Sequence, residues 1–338
     1  MACKVRNISV AFDPLRESNT FTNGDYISGR ITLEVVKEIH IESLLIKAKG
    51  EASVMWSENH GRYNVVVYHD KVTCFRSILH FIQEQKKGQD GYSLLTNECG
   101  QCYPSIVGPG THVYPFTFQI PQQDMPASFK GHHGKVDYFL EAKLCRSLSI
   151  TKKAKVHFNY IPRGDTSVPD LMMSQHGSKE KKMKFLTSGS VAMDVHIEKK
   201  GFHLGEQMTV KIDVVNNSSR TVKPKLILYQ KQSFFASKKR SVKTKELLKE
   251  KGDPVGPSTK QSVTKVLNIP ADASISILNC KVLKVEYRLK VFLDIKFAYD
   301  PEIKLPVVFL PVCWTKEDKD VVNTDMDIGF ESWTSKLT

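Results

Sequence analysis

The sequence has no long hydrophobic run. Its apolar stretches, such as Val307-Val308-Phe309-Leu310, fall far short of the ~20 residues a membrane-spanning helix requires. The opening MACKVRNISVAFDP contains no apolar core segment, which predicts no signal peptide. Cysteine is sparse: seven residues, at 3, 74, 99, 102, 145, 280 and 313, an odd and scattered set. A secreted disulfide scaffold is denser and usually even, so the pattern predicts reduced thiols and a cytoplasmic protein. Gly (19) and Pro (15) are too few for a collagenous or low-complexity chain, and no two prolines are adjacent anywhere. Acidic residues are also in deficit, with 36 Asp and Glu against 49 Lys and Arg.

What is present fits a folded protein. The 338 residues are 41% hydrophobic, 25% charged and 9% aromatic, enough for two domains at ~150 residues each. The net charge of +13 is unevenly spread. Residues 1–163 carry 20 basic and 15 acidic side chains, residues 164–313 carry 26 and 15, and residues 314–338 carry 3 and 6. The second half therefore holds most of the positive field and precedes a short acidic tail. Such a field favours anionic partners, whether acidic peptides, phosphates, anionic lipid or nucleic acid, although excess charge also serves solubility alone.

Apolar alternation with period two dominates, and helical periodicity is scarce. Ile27, Ile31, Leu33 and Val35 share one face of a predicted strand, as do Met208, Val210, Ile212 and Val214. Tyr138, Leu140, Ala142 and Leu144 form a third such face, and Tyr287, Leu289, Val291 and Leu293 a fourth. Turn residues separate these runs at Asn23-Gly24, Gly108-Pro109-Gly110, His133-Gly134 and Asn216-Asn217-Ser218. Many short strands with regular turns predict β-sandwiches.

The two halves repeat one another. Phe21-x-x-Gly24-Asp25-x-Ile27 has the spacing of Phe202-x-x-Gly205-Glu206-x-Met208, and Leu45-Ile46 aligns at the same offset with Leu226-Ile227. Further on, Phe118-Gln-Ile-Pro121 matches Leu267-Asn-Ile-Pro270, and the Tyr138 strand matches the Tyr287 strand. The shift in offset places an insertion in the first half between about residues 50 and 112. Gly before an acidic residue suits a tight turn that calls for positive φ, and Pro ends a strand because it lacks an N–H. The expectation is all-β: two tandem immunoglobulin-like sandwiches over 1–163 and 187–313. A polar linker is expected over 164–186 and an acidic tail over 314–338.

No catalytic constellation emerges. Cys99-x-x-Cys102 is a lone pair that reads as free thiols in a loop, although His112, His132 and His133 are the residues that could complete a zinc site with it. A phosphate-binding Gly loop and a Gly-x-Ser-x-Gly elbow are both missing. Asn216-Asn-Ser218 and Asn217-Ser-Ser219 match the glycosylation sequon but read as a hairpin turn. The reading is therefore a non-enzyme with no cofactor. The candidate binding residues for an anionic partner or lipid are Lys238, Lys239, Arg240, Lys243 and Lys245, after the apolar Phe234-Phe235-Ala236, together with Arg220, Lys223 and Lys225. The tail, with Glu317, Asp318, Asp320, Asp325, Asp327 and the aromatics Phe330 and Trp333, reads as a fold-back segment, a sorting peptide or a solubilising end.

Several stretches are similar to one family, the α-arrestins. In the second half these are Ile197-Glu-Lys-Lys-Gly201-Phe-His-Leu-Gly205-Glu206, Asn217-Ser-Ser-Arg220-Thr-Val222-Lys-Pro224-Lys225, Tyr229-Gln-Lys-Gln232 and Ile277 through Tyr287. In the first half they are Gly29-Arg-Ile31, Ile46 through Trp56, Tyr114-Pro-Phe116-Thr-Phe118 and Pro126 through Tyr138. The resemblance spans about residues 5–313. It implies arrestin-type sandwiches of seven or eight strands. It also implies a cytoplasmic adaptor at the plasma membrane or endosomes that binds cytoplasmic regions of membrane proteins and directs their ubiquitination and endosomal sorting. Members of the family usually recruit ubiquitin ligases through Pro-Pro-x-Tyr motifs, and this sequence contains none. The alternatives are a basic nucleic-acid binder or a purely structural sandwich. Nucleic-acid stacking calls for aromatics interleaved with Lys and Arg, whereas the Tyr and Phe here fall mostly at inward strand positions, so no nucleic acid is expected.

Overall fold

A computed structural model describes residues 4–15, 19–59, 61, 64–83, 94–163, 168–183, 189–296 and 298–311. The strands of the first half are β1 (Val5–Phe12), β2 (Thr20–Phe21), β3 (Tyr26–Val35), β4 (Ile39–His40), β5 (Ser43–Asn59) and β6 (Val65–Gln83). They continue with β7 (Ile106–Val107), β8 (Gly110–Gln119), β9 (Phe129–Lys130), β10 (Gly134–Cys145) and β11 (Lys152–Tyr160). A one-turn helix follows, α1 (Pro169–Met172), and then β12 (Gln175–Lys182), β13 (Gly189–Ile197), β14 (Gly201–His203) and β15 (Gln207–Ser218). The remainder are β16 (Lys223–Ala236), β17 (Lys239–Lys251), β18 (Thr259–Asn268), β19 (Leu283–Asp294) and β20 (Glu302–Leu310).

The chain forms two β-sandwiches. In the first, the sheet β1-β3-β8 lies against the sheet β2-β11-β10-β5-β6, with β9 added to β10. The second combines β12-β13-β15-β18 with β14-β20-β19-β16-β17. The chain also divides into two compact units whose bounds differ from those of the sandwiches, since parts of β16, β17 and β19 are grouped with the first half. One comprises 1–163 with 227–249 and 276–289, and the other comprises 164–226, 250–275 and 290–338.

The period-two faces are the cores. Ile27, Ile31, Leu33 and Val35 are buried, as are Tyr138, Leu140, Ala142 and Leu144. The same holds for Met208 through Val214 and Tyr287 through Leu293 at alternate positions. Each fully buried aliphatic side chain contributes roughly 1.5–3 kcal/mol relative to exposure, and the alternation fixes register because a one-residue slip would turn the whole set outward. Tyr138 and Tyr287, which open two of these faces, keep their hydroxyls hydrogen-bonded. Tyr138 Oη donates to Pro126 O at 2.6 Å, and Tyr287 Oη accepts from Gln230 Nε2 at 2.7 Å.

The sequence repeat has a physical cause. Gly24 and Gly205 sit at φ +79° and +83°, where an L side chain is strained. The acidic residue after each glycine closes the turn: Thr22 N donates to Asp25 Oδ2 at 2.9 Å, and His203 N to Glu206 Oε2 at 2.8 Å. The carbonyls of these same residues accept from the Ile of each Ile-Pro pair, Ile120 N to Asp25 O at 2.8 Å and Ile269 N to Glu206 O at 2.9 Å. The two halves of the repeat motif are thus hydrogen-bonded to each other in both sandwiches.

Two sequence expectations are corrected. Residues 175–182 lie within the stretch read as linker, yet they form β12 and pair with β13 from Gln175↔Ile197 to Lys182↔Ser190. Their polar composition hides a strand because the inward positions of this edge strand, Gln175, Gly177 and Lys181, are only half-buried and carry no apolar side chain. Asn216-Asn217-Ser218, read as a turn, belongs to β15, and Asn216 is fully buried. The acidic tail lies outside the described residues.

At one end of the first sandwich the strand termini are stacked. Val5 pairs with Val35, Val35 with Gly110, Ser43 with Cys145, and Leu144 with Lys152. Lys152 Nζ donates to Val5 O at 2.7 Å and ties the two sheets there. On the outer face of the larger sheet, Glu141 pairs with Lys47 at 3.0 Å, and Glu51 pairs with Lys71 and Lys49. Burial pushes the carboxyl pKa of Glu51 and Glu141 up, but the neighbouring ammonium groups outweigh it and hold both below their ordinary value.

Two outcomes are expected. Asp25→Ala and Glu206→Ala should each cost about 1–3 kcal/mol in urea unfolding, since each leaves a turn N–H without its carboxylate. A cost below about 0.3 kcal/mol for both would show that these carboxylates do not hold the turns closed. Second, because the folded-state carboxyls of Glu51 and Glu141 are depressed, their contribution is complete above the unfolded value near 4.5 and is lost as pH falls through and below it. Glu51→Gln/Glu141→Gln should flatten the fall of melting temperature in that acid range relative to wild type.

Candidate functional site

The eight basic residues singled out in the sequence do not all belong to one unit. Arg220, Lys223 and Lys225 fall in the second unit, and Lys238, Lys239, Arg240, Lys243 and Lys245 in the first.

The loop before β16 is organised by a buried amide. Asn216 Nδ2 donates to Arg220 O at 2.7 Å, to Gly256 O at 2.8 Å and to Val255 O at 3.2 Å. Its Oδ1 accepts from Ser218 Oγ at 2.7 Å. Val222 and Val255 then exchange backbone hydrogen bonds of 3.0 and 2.8 Å. These contacts shape a groove of about 610 Å³ lined by Arg220, Thr221, Lys223, Pro254, Asp294 and Lys296. The Arg220 guanidinium donates to Lys296 O, and Lys225 Nζ pairs with Asp294 at 2.6 Å. Both charges are therefore partly spent on the protein itself. Lys223 and Lys296 are exposed at the groove and supply its positive potential. Lys296 follows β19 as a single basic residue, and no sequence signal marked it.

The second cluster sits on the β16–β17 hairpin. Ser237 and Lys238 both adopt positive φ, +49° and +62°, the pattern of a two-residue hairpin turn that matches strand twist. The turn presents Lys238 and Lys239 to solvent. Arg240 is anchored: Nη2 donates to Ser233 Oγ at 2.8 Å, and the guanidinium lies 5.6 Å from the Phe235 ring centre. A groove of about 460 Å³ runs along Phe235 to Arg240 and includes Lys281, Val282, Asp70 and Val72. Lys281 and Asp70 are additions the sequence reading missed, since they come from distant segments. Lys243 and Lys245 do not line the groove but lie along β17, the sheet's edge strand, both exposed. The groove thus offers an apolar floor beside cations, a surface suited to an acidic segment carrying an apolar side chain.

Burial pushes the Cys74 thiol up to about 11, with Cys280 adding to the rise, so it stays protonated at neutral pH. Cys99 and Cys102 are exposed in a turn where Asn97 Oδ1 accepts from Cys99 N and Gln101 N. Among the described residues, no three His, Cys, Asp or Glu side chains gather as metal ligands. No helix among them is long and apolar enough to cross a membrane.

Comparison with known proteins fits this architecture. Residues 8–167 match the N-terminal domain of the arrestin (or S-antigen) family, and residues 187–312 match its C-terminal domain. The chain belongs to the arrestin family, in its α-arrestin branch. Among its curated relatives, thioredoxin-interacting protein of Rattus norvegicus is 29% identical over 310 residues, covering 90% of this chain and 74% of the relative. The Homo sapiens protein of that name is 28% identical with the same coverage, and that of Mus musculus is 29% identical over 313 residues, covering 90% and 73%. No catalytic family is indicated for this arrestin-domain chain.

The buried amide is open to direct measurement. Asn216→Ala should destabilise the protein by about 2–3 kcal/mol, because it strands buried carbonyls and the Ser218 hydroxyl. Asn217→Ala, on the neighbouring exposed side chain, should change stability by less than about 0.5 kcal/mol. Equal effects in urea unfolding would contradict the assignment of the loop to Asn216.

Proposed function

We propose that the protein is a non-enzymatic adaptor or scaffold that holds cytoplasmic regions of membrane proteins and supports their endocytic or endosomal trafficking. In this reading it is cytoplasmic and works at the periphery of the plasma membrane or endosomes. The two sandwiches, the second of which begins at β12, act as its two lobes, and the acidic stretch 314–338 follows them in the sequence. Recruitment of ubiquitin ligases through Pro-Pro-x-Tyr motifs is not part of the proposal, because the sequence offers no such motif.

The observation that carries the reading is the hairpin groove in an arrestin-family chain. Lys238, Lys239 and Lys281 stand beside the Phe235 ring and Val282. An acidic segment with an apolar anchor satisfies both halves of that surface. Nucleic acid would require exposed aromatics as stacking platforms along the basic strand. β17 carries none: its sequence is KRSVKTKELLKEK.

Arg240 is left intact in the test, since it supports the hairpin through Ser233. Lys238→Glu/Lys239→Glu should weaken binding of acidic cytoplasmic segments of membrane proteins by about tenfold or more at low salt, at ~1 kcal/mol per charge near an anionic surface. Titration of the purified full chain with such synthetic segments, in parallel with labelled single- and double-stranded nucleic acid, reads the effect. Unchanged peptide affinity in the double variant, or tighter binding to nucleic acid than to any peptide, would overturn the proposal.

A further inference from the structure

The end of the first sandwich where strand termini stack carries aliphatic side chains in the places a solvent-facing turn usually gives to polar ones. Residues 146–151 connect β10 to β11. Leu148, at 106% relative exposure, and Ile150, at 91%, stand at the tip of this connection. Leu148 also holds φ +53°, a left-handed conformation that costs an aliphatic residue energy and that Gly or Asn would take readily. Neither internal packing nor turn geometry accounts for a leucine there. Two further aliphatics are exposed at the same end: Ile106 at 60%, paired in β7 with His40, and Val36 at 42%, just after β3.

Basic residues neighbour these aliphatics in the chain. Val36 N and Lys37 N both donate to Lys4 O, which places Lys4 and Lys37 beside Val36. Arg146 and Lys153 flank the Leu148 tip in the chain, and Lys152 is held at its base by Val5 O. The nearby acidic residues on the connecting segments are Glu38 and Glu42, so the balance at this end is positive.

We propose that this end of the first sandwich, led by Leu148 and Ile150, inserts into the interfacial region of an anionic lipid bilayer. A bilayer fits better than a protein groove for a geometric reason. The aliphatics project singly from a convex tip, and a fluid interface accepts such a tip with no complementary shape. The charge matches as well: hydrocarbon side chains lead, and the exposed Lys4, Lys37 and Lys153 accompany them with the sign that anionic headgroups attract. The site is distinct from the hairpin groove and rests on side chains of the first sandwich alone, so it does not depend on the cargo reading above.

The test uses the full chain and protein-free vesicles of phosphatidylcholine, with and without phosphatidylserine. The wild-type protein should cosediment with the phosphatidylserine vesicles. Leu148→Ser/Ile150→Ser should reduce that partition by about tenfold or more while leaving the melting temperature unchanged, since both side chains are exposed. Leu148→Trp supplies a second readout. Relative to wild type, its added tryptophan emission should shift to the blue on vesicle addition and be quenched by brominated acyl chains. Vesicle binding that survives the double serine substitution would overturn the proposal, as would an unquenched tryptophan or no binding of wild type at low salt. Loss of self-association, rather than vesicle binding, on serine substitution would also overturn it in favour of a contact between copies. The vesicles contain no protein, so failure here leaves the cargo reading standing, and failure of peptide binding leaves this one standing.

Discussion

A carboxylate that reaches back three residues to a backbone N–H closes the same turn in both sandwiches. Thr22 N meets Asp25, and His203 N meets Glu206. The constraint is local, but its consequence is not. Once the turn is closed, the carbonyl of the same residue is presented to Ile120 or Ile269, and the end of a distant strand is fixed in register. Strand pairing over separations of 95 residues in the first sandwich (Asp25 to Ile120) and 63 in the second (Glu206 to Ile269) is entropically costly to initiate, so a preformed turn that offers a ready acceptor lowers the number of registers to be searched. Slippage by one residue would expose every core side chain of β3 or β15 at once.

Much of the fold was legible because it rests on periods and turns. The alternating faces that begin at Ile27, Tyr138, Met208 and Tyr287 are buried as their spacing implied. The Gly-acid and Ile-Pro pairs were visible as a repeat, although their mutual hydrogen bonding was not, since it joins segments far apart in the chain. β12 was hidden: an edge strand whose inner face is only half-buried reads as linker when its residues are Gln, His, Gly, Ser, Lys and Glu. Asn216 was misplaced for the opposite reason. Asn usually marks a turn, and here it is a buried strand residue whose amide serves the loop that follows. The functional surface was the least legible part. The basic residues near 220 and near 240 flank one strand in the sequence yet contribute to grooves in different units, and Lys281 and Lys296 join those grooves from loops with no motif.

The excess of positive charge has two separable origins. β12 and β17 are edge strands, and their lysines keep the free backbone edges from pairing with another chain. That role requires charge on the strand but no particular partner, which suits the plainly exposed Lys243 and Lys245. The hairpin tip differs. Its two left-handed residues present Lys238 and Lys239 away from the sheet, while Arg240 is held down on Ser233 and Phe235. Edge protection explains the first set and leaves the second without a structural task.

The same separation applies to exposed apolar side chains. Single exposed aliphatics are ordinary on any protein surface and call for no explanation. Met55, Val65 and Val67 are of this kind: they lie on the paired β5–β6 hairpin, where β-branched residues favour the strand and outward positions alternate with inward ones. Leu148 has no such account. It lies outside any strand, in a backbone conformation that disfavours it, with its whole side chain in water. A residue that neither stabilises its turn nor packs on its neighbours is retained at a cost to the isolated molecule. Contact with something apolar outside the chain is the physical circumstance that removes that cost.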